Sequence, residues 1–201
     1  MRLLTGTGTA IALAAALGGC SLGGLLGGGG KPPTTLVTLT PEAAAPAQIA
    51  RNAAAGQSVT IETPTVPKEL AFARVPVQLT PTNVQYVANL QLVDTPDRLF
   101  RGLLDETVRR TTSRVVLDPS QSTLDPGVTI TGQLQRFGYD ASTGQVVVTY
   151  DAALSSAGGS GVQTRRFTAS APADGSSATV GPALNRAANQ VALDVARWIG
   201  G

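Results

Sequence analysis

The chain has 201 residues, with 15 basic and 13 acidic side chains, a single cysteine and no histidine. Histidine-dependent catalysis, histidine metal ligation and any internal disulfide are thereby excluded, and no cofactor or metal is expected. The basic residues are scattered, with Arg109-Arg110 and Arg165-Arg166 the only adjacent pairs, so the stripe of positive charge that nucleic-acid binding requires is missing.

The first segment reads as an export signal. Arg2 supplies a minimal positive region, residues 3–17 are apolar or small, and Gly18-Gly19 gives the small side chains a signal peptidase needs before its cut. The run is too short and glycine-rich for a membrane span, which takes about 20 predominantly apolar residues. Leu17-Gly18-Gly19-Cys20 has the form of a bacterial lipobox. On this reading residues 1–19 are a lipoprotein signal peptide and Cys20 becomes the first mature residue. Its thiol then takes a diacylglycerol and its freed amine a third acyl chain. One acyl chain binds a bilayer only marginally, at about 0.8 kcal/mol per buried CH2, whereas two or three anchor it. An ordinary secretory signal with an incidental cysteine is the plainer alternative. Ser21, where an aspartate would retain the protein at the inner membrane, points to the outer membrane, facing the periplasm. Cleavage removes only Arg2 among the charged residues, leaving 14 basic against 13 acidic side chains.

Residues 20–57 are expected to form the acylated cysteine and a tether, with room for one short strand. Residues 21–33 are nearly all Gly and Leu, a composition that buries no core. Gly27-Gly28-Gly29-Gly30 is not a phosphate loop, because no strand precedes it and no Gly-Lys-Ser/Thr follows. Leu36, Val37 and Leu39 supply the short strand, and residues 41–57 are rich in Ala and Pro, a second linker or a loose helix.

The folded domain is expected over residues 58–201. Val59 and Ile61 alternate with Thr60 and Glu62 at strand period. A second strand is predicted over residues 74–80, where Pro76 suggests a sheet edge, and a third over residues 84–87. Thr95-Pro96-Asp97 is a helix start, with a hydroxyl to cap, proline at the first position and a carboxylate at the positive end of the dipole. Leu99, Phe100, Leu103, Leu104 and Val108 then form one apolar stripe, and Arg109 and Arg110 close the helix. Residues 113–117 read as a strand. Three long strands follow over residues 128–139, 145–155 and 162–171, joined by short turn-rich connections that make an antiparallel meander. A last helix over residues 177–199 repeats Val180, Leu184, Ala187, Val191, Val195 and Trp198 at helical spacing, with Ala188 and Ala192 permitting close approach to a sheet. The expected class is α+β, a mostly antiparallel sheet with two main helices on one face.

Candidate chemistry is sparse. Ser160, in Gly158-Gly159-Ser160-Gly161-Val162, lacks the second flanking glycine of a hydrolase elbow and has no histidine to serve as its base. Asp94, Asp97, Asp105 and Glu106 cluster near the first helix, but one-turn spacing lets Asp105 and Glu106 pair with Arg101, Arg109 or Arg110. Leu99, Phe100, Leu103 and Trp198 read as core and not as a lipid pocket. Arg74 beside Pro76, and Tyr86 after Asn83, read foremost as a structural corner. Arg74, Asn83 and Tyr86 are also the candidate partner-binding residues, because the strand pair that carries them has edge character.

The chain resembles the ABC-type transport auxiliary lipoproteins of Gram-negative bacteria. The resemblance runs through the lipobox, Leu36-Val37-Thr38-Leu39-Thr40-Pro41, residues 59–77, Asn83-Val84-Gln85-Tyr86 with the helix after it, Arg165-Arg166-Phe167-Thr168-Ala169-Ser170-Ala171-Pro172 and the terminal helix. It departs after the tyrosine, where the family has an Arg-Trp pair with Glu-Pro-Leu and this chain has Asn89-Leu90-Gln91-Leu92. The resemblance implies a nonenzymatic partner of an ABC permease, its ATPase and a substrate-binding protein with a mammalian-cell-entry domain, which together move phospholipids or related lipids between membranes. It implies no catalytic residues, and a homo-oligomeric ring as in some relatives. The competing expectation is a structural or assembly lipoprotein that plugs an outer-membrane barrel or holds peptidoglycan.

Overall fold

The computed structural model describes residues 35–45, 51–125, 127–156 and 161–200. Cys20, the residue 27–30 glycines and Ser160 lie outside them. Strands β1 (Ser58–Ile61), β2 (Arg74–Thr80) and β3 (Asn83–Gln91) are followed by helix α1 (Pro96–Thr111) and strand β4 (Val115–Leu117). The meander β5 (Val128–Asp140), β6 (Gln145–Ser156) and β7 (Val162–Pro172) leads into helix α2 (Ser177–Gly200).

β5 organises the sheet. One side pairs along its whole length with β6, from Val128↔Ser156 to Asp140↔Gln145, and β6 pairs with β7, all antiparallel. The other side of β5 is shared. Its first residues pair in parallel with β1, which pairs in parallel with β4. Its last two residues, Tyr139 and Asp140, pair in parallel with Val77 and Gln78 of β2, which pairs antiparallel with β3. The sheet therefore forks, with β1–β4 on one prong and β2–β3 on the other. Between the prongs Thr65 bridges to Gln133, its N–H donating to the Gly132 carbonyl and its carbonyl accepting from Leu134 N–H.

The α+β class stands, but the sheet is mixed: three of the six ladders among the described residues are parallel. The reason is chain routing. β1 and β2 each reach β5 only after intervening elements, and such crossovers return strands in the same direction. Pro76 is likewise not on an edge, because β2 lies between β3 and β5. It is tolerated by an irregularity. The register shifts between Arg74 and Pro76, and β3 spends five steps from Tyr86 to Gln91 where β2 spends two. Within that excess Asn89 adopts φ 55°, a left-handed conformation that asparagine tolerates better than most residues. β3 consequently runs to Gln91, four residues beyond the predicted strand.

The alternating residues of the meander face the helices. Val146, Val148, Tyr150 and Ala152 of β6 are buried with Ile130, Leu134 and Phe137 of β5 and Phe167 and Ala171 of β7. Both helices cover this face. Phe100, Leu103, Leu104 and Val108 of α1 and Val180, Leu184, Ala188, Val191, Ala192 and Val195 of α2 complete one core. Phe100 meets Tyr150 with ring centroids 5.1 Å apart, and Trp198 meets Phe167 at 5.5 Å. Small residues set the closest approaches. A Cβ at Gly132 would stand 2.7 Å from the Tyr150 ring, and one at Gly138 2.4 Å from the Pro76 carbonyl.

Thr95 begins α1 as expected but makes no side-chain cap; its own N–H donates to Asp94 Oδ1 at 2.7 Å. The segment before the predicted domain boundary is also built in. Val37 bridges to Leu92, with Val37 N–H donating to Gln91 and Val93 N–H donating to Val37. Asn185 and Asn189, one turn apart on α2, then hold the following residues. Thr40 N–H donates to Asn185 Oδ1 and Glu42 N–H to Asn189 Oδ1, both at 2.8 Å, while Asn189 Nδ2 donates to the Thr40 carbonyl at 2.9 Å. Arg110 adds a bond to the Ala43 carbonyl at 2.8 Å. Residues 35–45, expected within the tether, are thus packed against the domain because Val37 fills a sheet position and two side-chain amides satisfy the backbone beyond it.

Candidate docking surface

The three residues singled out from the sequence sit on the β2–β3 hairpin, and the fold brings two of them together. The Arg74 guanidinium lies 5.1 Å from the centroid of the Tyr86 ring, and the Tyr86 hydroxyl donates to the Glu69 carbonyl at 3.2 Å. Pro76 stands opposite Tyr86 in the ladder and presses on Gly138 of β5. Arg74, Pro76 and Tyr86 therefore make the corner that joins the hairpin to the rest of the sheet. Asn83 is not part of it. It pairs with Thr80 at the exposed tip, flanked by Leu79 and Val84, whose side chains remain 36% and 39% exposed. β3 is the outer strand of this prong, so its outer row of backbone groups, up to the Gln91 carbonyl that Val37 takes, faces no other strand among the described residues and can pair with another chain.

The carboxylates near α1 are held by arginines. Glu106 receives Arg110 Nε at 2.7 Å, Asp94 lies 3.8 Å from Arg98, and Asp105 lies 3.6 Å from Arg101. Arg101 is shared, donating from Nε to the Ile61 carbonyl at 3.0 Å and from Nη2 to Asp118 at 3.1 Å. Asp105 is the one perturbed upward, to about 6. Burial opposes its charge more strongly than Arg101 and Arg109 favour it. Its Oδ1 has no partner, in common with Asp97 Oδ1 and the Tyr150 hydroxyl among the described side chains. Tyr150 is pushed upward by burial alone.

A second cleft, along β4, is lined by Arg51, Arg109, Arg114 and Glu106. Its guanidinium groups are engaged by carbonyls: Arg51 with Thr112 and Arg109, Arg109 with Val116 at 3.3 Å, and Arg114 with Ile199 at 3.0 Å. They tie the ends of both helices to β4. Among the described residues no group of three His, Cys, Asp or Glu is placed to hold a metal ion, and no helix is long and apolar enough to cross a membrane.

Sequence reasoning did not find Asn185 and Asn189, although a pair of asparagines one turn apart on the inner part of an Ala-rich helix is a visible signal. It also passed over Phe72, a large apolar side chain that the structure leaves 55% exposed beside Arg74.

The fold and its surface define a two-layer α+β domain, helices over one face of a sheet, with an exposed hairpin edge and arginines that tie helix ends to the sheet. The chain belongs to the family of ABC-type transport auxiliary lipoprotein components, whose family model matches residues 38–196. Among solved structures it is similar to protein XCC0632 from Xanthomonas campestris, of family DUF330, with TM-score 0.63, 17% identity and coverage of 84% of this chain and 92% of that one. A second, an uncharacterized protein, has TM-score 0.59 and 18% identity over 75% of this chain and 96% of the other. At those identities the likeness speaks to the fold. No curated protein matches the chain.

Proposed function

We propose that this protein is a nonenzymatic accessory lipoprotein, acylated at Cys20 and held at the outer membrane facing the periplasm, that docks to the cell-entry-domain protein of an ABC-type lipid transport system. Family membership over residues 38–196 carries this reading. Through that partner it joins the permease and its ATPase, and a ring of copies is the assembly proposed for it. An anchored domain of this kind contributes by binding, so its activity depends on a surface and not on one acid or base. The β2–β3 hairpin suits that role: its tip carries Asn83 between two half-exposed apolar side chains, and the outer edge of β3 before Gln91 has no partner strand among the described residues.

The test is capture by the acylated full chain in detergent, followed by identification of co-purifying proteins. A cell-entry-domain protein is the expected partner, and Leu79→Asp with Val84→Asp is expected to reduce its capture at least tenfold, whereas Asp94→Asn or Glu106→Gln leaves capture and transport near normal, as rim charges contribute little, roughly 0–1 kcal/mol. Recovery of an outer-membrane barrel or peptidoglycan in its place, or loss of transport by one carboxylate variant with capture intact, refutes the docking role.

A further inference from the structure

Three strongly exposed apolar side chains flank one junction of the fold. At that junction Leu92, 1% exposed, donates its N–H to the Ala73 carbonyl on one side and bridges Val37 on the other. Phe72 precedes Ala73, Val93 follows Leu92 and Leu36 precedes Val37. All three side chains point away from the core that Leu92 enters, with exposures of 55%, 49% and 51%. Each adjoins a residue packed against the core, Val37, Ala73 or Leu92, and Phe72 and Val93 lie in the bends that flank β2 and β3. Such a patch on a folded domain marks a surface that meets something apolar.

The route of the chain says what. Thr35, the first described residue, adjoins Leu36 in this patch, and only residues 21–34 separate it from Cys20. Fifteen peptide steps span at most about 50 Å, and the chain that leads from Cys20 enters the described domain at this corner. The rim has the matching chemistry. Arg74, two residues from Phe72, is exposed and makes no ion pair among the described residues, Tyr86 lies under it, and Asp94, which follows Val93, is paired with Arg98 at 3.8 Å. Apolar side chains bordered by a cation and an aromatic ring are what an anionic lipid surface receives.

We propose that Leu36, Phe72 and Val93 form a membrane-contacting patch that seats this corner on the phospholipid surface, with Arg74 toward the headgroups. The inference rests on the lipid-anchor reading above and adds an orientation: the corner faces lipid, while β7, at the opposite edge of the sheet, faces away.

The experiment uses the acylated mature chain in vesicles of phosphatidylethanolamine and phosphatidylglycerol containing a nitroxide-labelled lipid. Ala71→Cys, beside Phe72, carries an environment-sensitive fluorophore, and Thr164→Cys on β7 carries it as the distal control. Flotation with the vesicles reads the anchor separately. Quenching at position 71 several-fold stronger than at 164, reduced to the control level by Phe72→Ser with Val93→Ser while flotation and circular dichroism stay unchanged, is the expected result. A chain that floats but is quenched equally at both positions, or whose quenching at 71 survives the double serine substitution, overturns the patch. A chain that does not float refutes the anchor reading, and the inference with it.

Discussion

Asp105 feels opposed influences. Arg101 and Arg109 favour its charge, yet burial prevails and raises its folded value from 3.8 to about 6. Between those values the folded protein binds more protons than the unfolded chain, so this residue makes stability fall as pH rises from about 4 to 6. Asp118 and Asp174 act the other way. Held near 2 by hydrogen bonds from Ser120 and from Thr179 and Ser176, they contribute stability present above about 4 and lost as pH falls toward 2. Asp105→Asn removes the first effect alone. Its melting temperature is expected to exceed wild type at pH 7.5, by an amount on the order of 1–3 kcal/mol of stability, and to differ little at pH 4. Calorimetry at the two pH values checks this, and an equal shift at both contradicts it.

At the scale of elements, the periodic segments were legible and the connections between them were not. β2 and the meander follow their predicted spans closely, and α2 ends within one residue of its predicted end, because alternation and the 3.6-residue period are local signals. The paired carboxylates beside α1 were legible for the same reason, since one-turn spacing is a local property. Strand direction was not. Nothing near Val59 or Val77 states that both align parallel to β5, which depends on how intervening chain returns to the sheet. The packing of residues 35–45 was hidden in the same way, since its partners Asn185 and Asn189 lie 145 and 147 residues from Thr40 and Glu42. Of the three candidate binding residues, the corner formed by Arg74 and Tyr86 was readable from bulk and charge, but the separation of Asn83 from it required the register. Asn189 is 7% exposed and serves both Thr40 and Glu42, so Asn189→Ala removes two of the hydrogen bonds that hold the segment. It is expected to cost about 1–3 kcal/mol in urea unfolding and to open residues 35–45 to protease before the rest of the domain. Unchanged protection of that segment would mean that Val37 and Arg110 suffice to hold it.

For the whole molecule, the anchor proposal hangs on one thiol. Cys20→Ser is expected to leave the precursor unacylated and uncleaved, retaining residues 1–19, as mass spectrometry and the loss of globomycin-sensitive processing report. Normal maturation of that variant contradicts the anchor. The docked segment also has a mechanical meaning. A pull arriving from the amino-terminal side meets the Val37 bridge first and then the backbone bonds to Asn185 and Asn189, before any residue of β1. Tension is thereby handed to the middle of α2, a 24-residue helix that lies across the meander and carries much of the core. Within the sheet only the end of β3, through Gln91 and Leu92, takes a share of that load. The segment acts as a strain relief, so a domain pulled between a bilayer and a bound partner yields at its leash while its sheet keeps its shape.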